Sequence, residues 1–477
     1  DLDALVSRAE AAEELNLPAK ALEDYESYLK LPVDQASRSL IEKKVTKLQE
    51  AINNPIKPKA TYYEEFNSFL NSYLLSLIEG KNAQDELKLA DSIATLMMKN
   101  TGDRVGVDQV EFYSKLSVDA AKELLEARLE TEEVSKVVAI DHFQDSIDKL
   151  YKIKEVFVKH GANIETQTVT VLLAKFLSKA GRVPDARVEV DQWLKFAKDK
   201  SYLFNYAQLL FWDGHVNIYE RKEQEAIRKL QECIELCQKL DAEKFVLYPS
   251  MVASQVYVVS GENEIALNES IESLTTSLKY KFSTFSSQLL QNAGLASAGL
   301  EKPYLAEVFL EEAIKICEKE GLWGYSSVLK ANLAAILAHQ ANTKKAIDLI
   351  ETAKIDIGKT TDSLAKQQQL MQITSYEGKV QGLARNFVKS ENCYRTFLRM
   401  SEQFGYKELF GIGQIRKGLG EALLEQGRKS EAFKEFESAR EEFRKAQKGL
   451  HPKNQNRFLD YSFSGKDIEE LIKLVQP

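Results

Sequence analysis

The sequence predicts an all-α chain, a solenoid of about ten antiparallel helical hairpins. Two observations predict it. Gly (22) and Pro (9) are scarce in 477 residues, while the good helix formers Leu, Ala, Glu, Lys and Gln abound. Small residues also recur at a nearly constant interval through the C-terminal part of the chain. The scarcity of chain breakers argues against a sandwich, a barrel or a doubly wound sheet, because each of those needs many turns.

Charge and composition narrow the function. The chain carries 64 Lys and Arg against 72 Asp and Glu, a net charge of −8. There is no basic excess to neutralise phosphates, so no nucleic-acid partner is expected. No uninterrupted apolar run reaches the roughly 18 residues that a membrane helix needs, so no membrane insertion is expected either. The cysteines are Cys233, Cys237, Cys317 and Cys393. Cys233 and Cys237 fall four apart on one expected helix, a poor geometry for a disulfide. No CxxC or HxxxH pair offers zinc ligands. All four read as small buried residues that stay reduced, which points to a cytoplasmic setting. The chain starts at Asp1, as a removed signal peptide or a shortened sequence would each leave it.

The elements follow in order. Residues 1–52 read as one hairpin and a further helix over Ser37–Ala51. Residues 53–60, with Pro55 and Pro58, read as a linker or sharp bend. Residues 61–160 read as two irregular hairpins. The first pairs Tyr62–Ile78 with Gln84–Lys99, and the second pairs Val107–Leu129 with Glu132–His160. Residues 161–450 read as a regular array of seven hairpins. Residues 451–477 form a polar tail and a short helix over Asp467–Val475, placed to cap the array's open apolar end.

One frame runs through the array. The last repeat shows it best: Leu419-Gly420, Leu423, Gly427, Ala432, Phe436, Ala439. Gly420 and Ala432 are small so that two helices can cross closely. Gly427 ends the first helix, where a left-handed residue closes the last turn. Upstream, the small residue of the first helix is Ala174, Gly214, Ser254, Gly294, Ala334 and Gly378, at intervals of 40, 40, 40, 40, 44 and 42 up to Gly420. Twelve residues after each come Ala186, Ala226, Ala266, Ala306, Ala346, Ser390 and Ala432. Turn glycines appear at Gly181, Gly261 and Gly427, whereas Arg221 and Glu301 occupy the same place elsewhere.

This order of small residue, turn Gly, Ala, aromatic and small residue resembles the tetratricopeptide repeat. The long interval is similar to the long-helix variants found in kinesin light chains and several bacterial regulators. The N-terminus repeats the theme with Ala9, Ala21, Tyr25 and Pro32. The resemblance implies a right-handed superhelix with a concave groove lined by the first helices. The family's first-helix Trp is missing. Members that bind acidic chaperone tails use a clamp of Asn with Lys and Arg. Asn292 and Asn332 match the Asn place, but Gln372 and Tyr376 stand where the cationic pair belongs. The resemblance therefore implies no chaperone-tail binding.

Catalytic motifs are not expected. Gly358-Lys359-Thr360 lacks the upstream Gly of a phosphate loop and follows a helix, not a strand. The five histidines have no partner at zinc-protease spacing, and no GxSxG elbow exists. No cofactor is expected.

Helical geometry then names the groove. Residues six and three before each small residue, and one and five after it, avoid the hairpin core together with their neighbours. On the helix of Gly214 these are Gln208, Phe211, Trp212, His215 and Tyr219. Farther on they are Tyr248 and Gln255, then Gln288, Gln291 and Asn292, then Asn332 and His339. The last two helices add Gln372 and Tyr376, then Gln414 and Lys417. The amides suit an extended peptide backbone, since each has a donor and an acceptor side by side. Phe211, Trp212, Tyr219 and Tyr248 suit one apolar anchor. A non-catalytic scaffold for a peptide or partner helix is the expected function, with a protein or peptide as partner. The alternative is a ligand- or peptide-sensing module of a larger bacterial signalling, secretion or motility system.

Overall fold

A computed structural model of the chain describes residues 62–81, 83–136, 143–220, 222–360, 363–403, 409–446 and 466–475, with Ala9, residues 18–31 and scattered residues between 35 and 46. No strand occurs among the described residues. The first six helices are α1 (Pro18–Leu29), α2 (Tyr62–Ile78), α3 (Gln84–Thr101), α4 (Val105–Tyr113), α5 (Val118–Ser135) and α6 (Phe143–His160). The array begins with α7 (Asn163–Lys179), α8 (Val183–Asp199), α9 (Leu203–Tyr219), α10 (Glu223–Lys239), α11 (Glu243–Ser260) and α12 (Asn263–Lys279). It continues through α13 (Ser283–Gly299), α14 (Pro303–Lys319), α15 (Trp323–His339) and α16 (Thr343–Gly358). The last five helices are α17 (Ser363–Leu383), α18 (Phe387–Gln403), α19 (Leu409–Glu425), α20 (Lys429–Ala446) and α21 (Ile468–Val475).

The array is an α-solenoid of consecutive packed hairpins. Its period is finer than the sequence spacing indicated. Gly161, Gly181, Ser201, Asp241, Gly261, Lys281, Glu301, Gly321 and Ala341 all have φ between 53° and 77°. They are spaced 20 residues apart; Arg221, at the one missing step, lies outside the described residues. Each closes a helix in the same way. Lys302 N–H donates to Ser297 O at 2.9 Å, and Asn342 N–H donates to Leu337 O at 2.8 Å, the 6→1 bond of a left-handed cap. Glu301 thus adopts the glycine-like conformation without being glycine.

The small residues sit at helix crossings. A Cβ on Gly294 would lie 2.9 Å from Leu310 Cγ and 3.4 Å from Ala306 O. On Gly214 it would lie 2.8 Å from Leu230 Cγ. The larger Tyr394 and Phe436 rings cover Gly378 and Gly420 in the same way. Ser390 Oγ donates to Gly378 O at 2.8 Å, so the residue twelve positions on touches its partner directly. The small residues of both series are buried throughout.

Successive first helices α7 and α9, α11 and α13, and α15 and α17 touch one another. No two successive second helices make comparable contact. Where neighbouring first helices touch and the second helices do not, the stack curves toward its first helices.

Three stretches differ from the sequence expectation or escape it. The helix expected over Val107–Leu129 is two helices, α4 and α5. Ser117 starts the second from an extended ψ of 160°, and its side chain accepts the Ala120 N–H at 3.2 Å. Of the helix expected over Glu132–His160, residues 132–135 belong to α5 and Phe143–His160 form α6, with residues 137–142 outside the described residues. The expected linker at 53–60 and most of Ser37–Ala51 lie outside the described residues. At the other end, α21 buries Leu471, Ile472 and Val475 against the last hairpin. No described helix is long and apolar enough to cross a membrane.

Candidate functional site: an aromatic pocket on the concave face

The repeat places rings beside one another. Phe245 opens α11 and Phe285 opens α13, one 40-residue interval apart, with Phe204 at the start of α9. Phe204 meets Phe245 at 5.6 Å between ring centres. Tyr248 meets Phe285 edge-on at 4.6 Å, and Phe282 meets Phe285 at 6.0 Å. Phe211 extends the cluster along α9. It lies 6.2 Å from Phe245, 6.1 Å from Tyr248, 5.1 Å from Trp212 and 4.7 Å from the His215 ring. Trp212 and His215 stack at 4.9 Å. Such contacts add about 0.5–1.5 kcal/mol per pair beyond area burial.

A helix from outside the array supplies the opposite wall. Tyr63 of α2 stacks on Phe204 at 4.1 Å with 21° between planes. Between these walls lies a half-open cavity of about 360 Å³, lined by the six rings Tyr63, Phe204, Phe245, Tyr248, Phe282 and Phe285, with Asn67, Ala242 and Lys244. That volume is at the lower end of the roughly 300–1,000 Å³ usual for ligand pockets.

One carboxylate holds the two walls together. Asp103, fully buried between α3 and α4, accepts the Tyr63 hydroxyl at 2.6 Å. It also accepts the backbone N–H groups of Leu203 at 3.0 Å and Phe204 at 3.2 Å, which open α9, and of Val105 at 3.1 Å, which opens α4. Its side chain thus caps the first turns of two helices at once. Burial pushes the Asp103 carboxyl up, against the pull of those four donors. Beside it, Arg104 N–H donates to Ser201 O at 3.1 Å and the Tyr202 hydroxyl to Asp108 at 3.0 Å.

Farther along the groove the surroundings turn cationic. Lys175 and Lys179 on α7 are both pushed below their usual range by burial. His215 is pushed down to about 4, first by burial among the rings and then by the Lys179 charge.

The groove residues named from sequence separate into two groups. Phe211, Trp212, His215 and Tyr248 come together in the cluster. Tyr219, Tyr248, Gln255, His339 and Gln372 are exposed, while Gln208, Gln288 and Gln291 are half-buried. Gln288 donates to the Tyr325 hydroxyl at 3.3 Å. In contrast, Asn292, Asn332, Tyr376, Gln414, Lys417 and Phe211 itself are buried and offer little surface. The reason for Asn292 is positional. Two residues before the small residue, a side chain falls in the seam between neighbouring first helices. There Asn292 donates to Met251 O at 3.1 Å and Ser254 Oγ at 2.8 Å, stitching α13 to α11. The sequence reading missed Tyr63, Asn67, Phe204, Lys244, Phe245, Phe282 and Phe285. The 40-residue recurrence of Phe245 and Phe285 was the available signal; Tyr63 had none, being outside the frame.

Lys359 of the Gly-Lys-Thr run is engaged locally. Its ammonium donates to Asp356 at 2.7 Å and stands 3.9 Å above the Trp323 ring centre. Among the described residues, no cluster of three His, Cys, Asp or Glu side chains could hold a metal ion.

No known family profile and no curated protein matches the sequence. Solved structures do. The chain is similar to a Rap protein complexed with competence and sporulation factor, at 12% identity and a TM-score of 0.50, over 81% of this chain and 99% of that one. It is similar to aspartyl phosphate phosphatase F from Bacillus subtilis at 12% identity and a TM-score of 0.49, over 83% and 98%. A signal-transduction ATPase with a tetratricopeptide repeat sensor from Pyrococcus horikoshii gives 12% identity and a TM-score of 0.45, over 96% and 74%. The likeness is one of fold, a tetratricopeptide-type α-solenoid.

Proposed function

We propose that this solenoid is a non-catalytic binding scaffold, and that a partner protein docks along α9, α11 and α13 as an extended peptide or a helix. The observation that supports this reading is the ring cluster left open to solvent. Tyr248, which lines the apolar cavity, is 43% exposed. Large rings normally close into the core, so an open cluster on a concave face marks a place where a partner supplies the missing cover. The accessible amides Gln208, Gln255, Gln288, Gln291 and Gln372 are placed to pair with a peptide backbone. Beneath them, Asn292 ties α13 to α11, and Asn332, Tyr376, Gln414 and Lys417 are buried.

The test is selection of random peptides displayed on phage against the intact protein. Selected peptides are expected to share one bulky apolar residue and to lose about tenfold or more in affinity to Tyr248→Ser and Phe285→Ala. Tyr304→Ser, a fully displayed ring on α14, serves as the control. Peptides that bind all three variants equally would remove this face from consideration.

A further inference from the structure

A second cleft lies away from the rings, between second helices. Helices α18 and α20 both pack on α19 and hardly touch one another. The gap holds a cavity of about 450 Å³ lined by three guanidiniums, Arg395, Arg399 and Arg416, against two carboxylates, Glu402 and Glu435. Arg395, Thr396, Arg399 and Glu402 share one face of α18 by their helical spacing.

The repeat frame shows what is unusual at Arg416. It stands four residues before Gly420, as Lys330 stands four before Ala334. Lys330 is buried and meets carboxylates from both flanking second helices, Glu318 of α14 and Asp356 of α16. Arg416 meets one, donating to Glu435 of α20 at 2.8 Å. Its Nε–H is buried without an acceptor, a costly state for a donor. From the α18 side, Glu402 is exposed and makes no ion pair among the described residues. Arg399 is exposed as well. Its one hydrogen bond among the described residues is a donation to Thr396 Oγ1 at 3.1 Å, which leaves the Thr396 hydroxyl proton to donate onward. Arg395 is already engaged, since its Nε donates to Glu391 at 2.8 Å.

We infer that this cleft binds a phosphate group, free or esterified. It shares no residue with the ring pocket, so it stands or falls apart from the docking face. Donors from two helices line one cavity: Arg399 and Thr396 from α18, and Arg416 Nε from α19. A phosphate offers oxygens in several directions to such a divergent set, where a carboxylate offers two in one plane. Its second negative charge also gains more from the excess of guanidinium over carboxylate in the lining. Leu398 and Leu419 give the cleft an apolar wall for the body of an ester.

Ligand-observed NMR titration of the full chain tests this, with phenyl phosphate and benzoate as paired probes. Phenyl phosphate is expected to bind saturably, and benzoate about fivefold or more weakly. Arg399→Gln, at an exposed side chain that folding does not need, should weaken phenyl phosphate about fivefold or more. Glu402→Gln removes a charge that opposes an anion and should tighten it about twofold or more. Arg228→Gln, at an exposed arginine of α10 outside the cleft, should change nothing. Displacement by inorganic phosphate would show that the phosphate group alone suffices, and failure to displace would give the ester's body a share of the binding; either supports the inference. It is overturned if phenyl phosphate fails to saturate or if benzoate binds as tightly. It is equally overturned if neither Arg399→Gln nor Glu402→Gln moves the affinity, or if Arg228→Gln lowers it as much as Arg399→Gln does.

Discussion

The Asp103 carboxylate accepts the Phe204 backbone N–H at 3.2 Å from 101 positions upstream in the chain. Through this bond and its neighbours, a loop outside the repeats fixes the start of α9 and one wall of the pocket. Asp103→Ala removes caps from two helices and orphans the buried Tyr63 hydroxyl. A loss of about 2–4 kcal/mol is expected, with Asp103→Asn milder because one acceptor oxygen remains. Urea unfolding gives the magnitude. Amide exchange at Leu203 and Phe204 locates it, and unchanged exchange there would contradict the capping role.

His215 should make the fold acid-sensitive. Its unfolded form titrates near pH 6.5, and its folded form stays neutral down to about 4. Between those values the unfolded chain binds the proton more tightly, so stability falls as pH drops through this window. The loss reaches up to about 3 kcal/mol by pH 4. His215→Phe keeps the ring contacts and removes the titration. The difference in melting temperature between pH 7 and pH 4.5 should therefore shrink relative to the parent. An identical difference would refute the assignment.

Gly294 tolerates no side chain while Leu310 is in place. Gly294→Val is expected to destabilise by about 1–3 kcal/mol through forced displacement of Leu310. Leu310→Ala in the same chain should recover part of this, giving a favourable coupling in a double-mutant cycle. Additive losses would place the two residues apart.

Ala341 is the opposite case. Its φ of 62° is strained for a residue with a Cβ. Ala341→Gly relieves a penalty of roughly 1–2 kcal/mol, offset in part by the greater freedom of the unfolded chain. A small rise in melting temperature is expected, of similar size to that for Glu301→Gly. A fall at both positions would mean that unfolded-state entropy dominates.

Lys330 is a buried ammonium held by Asp356 and by Glu318 at 2.6 Å. Burial alone would raise the Asp356 carboxyl, but Lys330 and Lys359 hold it below the usual carboxylate range. Asp356→Ala is expected to cost about 3 kcal/mol, because it strands part of a buried charge. Replacing both partners, as Lys330→Met with Asp356→Leu, should be close to neutral by chemical denaturation.

The sequence revealed the crossings because a glycine or alanine with no room for more leaves a visible mark every repeat. Gly214 with Ala226 and Gly294 with Ala306 are such pairs. The turns were legible only where glycine fills them. Ser201, Asp241, Lys281, Glu301, Ala341 and Arg385 take the same left-handed conformation with ordinary side chains, so composition hides half of the joints. The groove was read from helical angle alone. That angle does not say that neighbouring first helices touch, and contact between them is what closes over Asn292. The junction at Asp103 joins segments a hundred residues apart, and no local pattern announces such a bond.

The joints at every twentieth residue also constrain how such a chain can change length. Losing one helix with its joint would turn every later inner helix outward and bury the wrong face. Growth and loss are confined to whole pairs, which fits the intervals of 40 between Ala174 and Ala334. Where the interval widens to 44, before Gly378, the surplus is absorbed at the beginning of the 21-residue α17, outside the crossing, so the inside stays the inside.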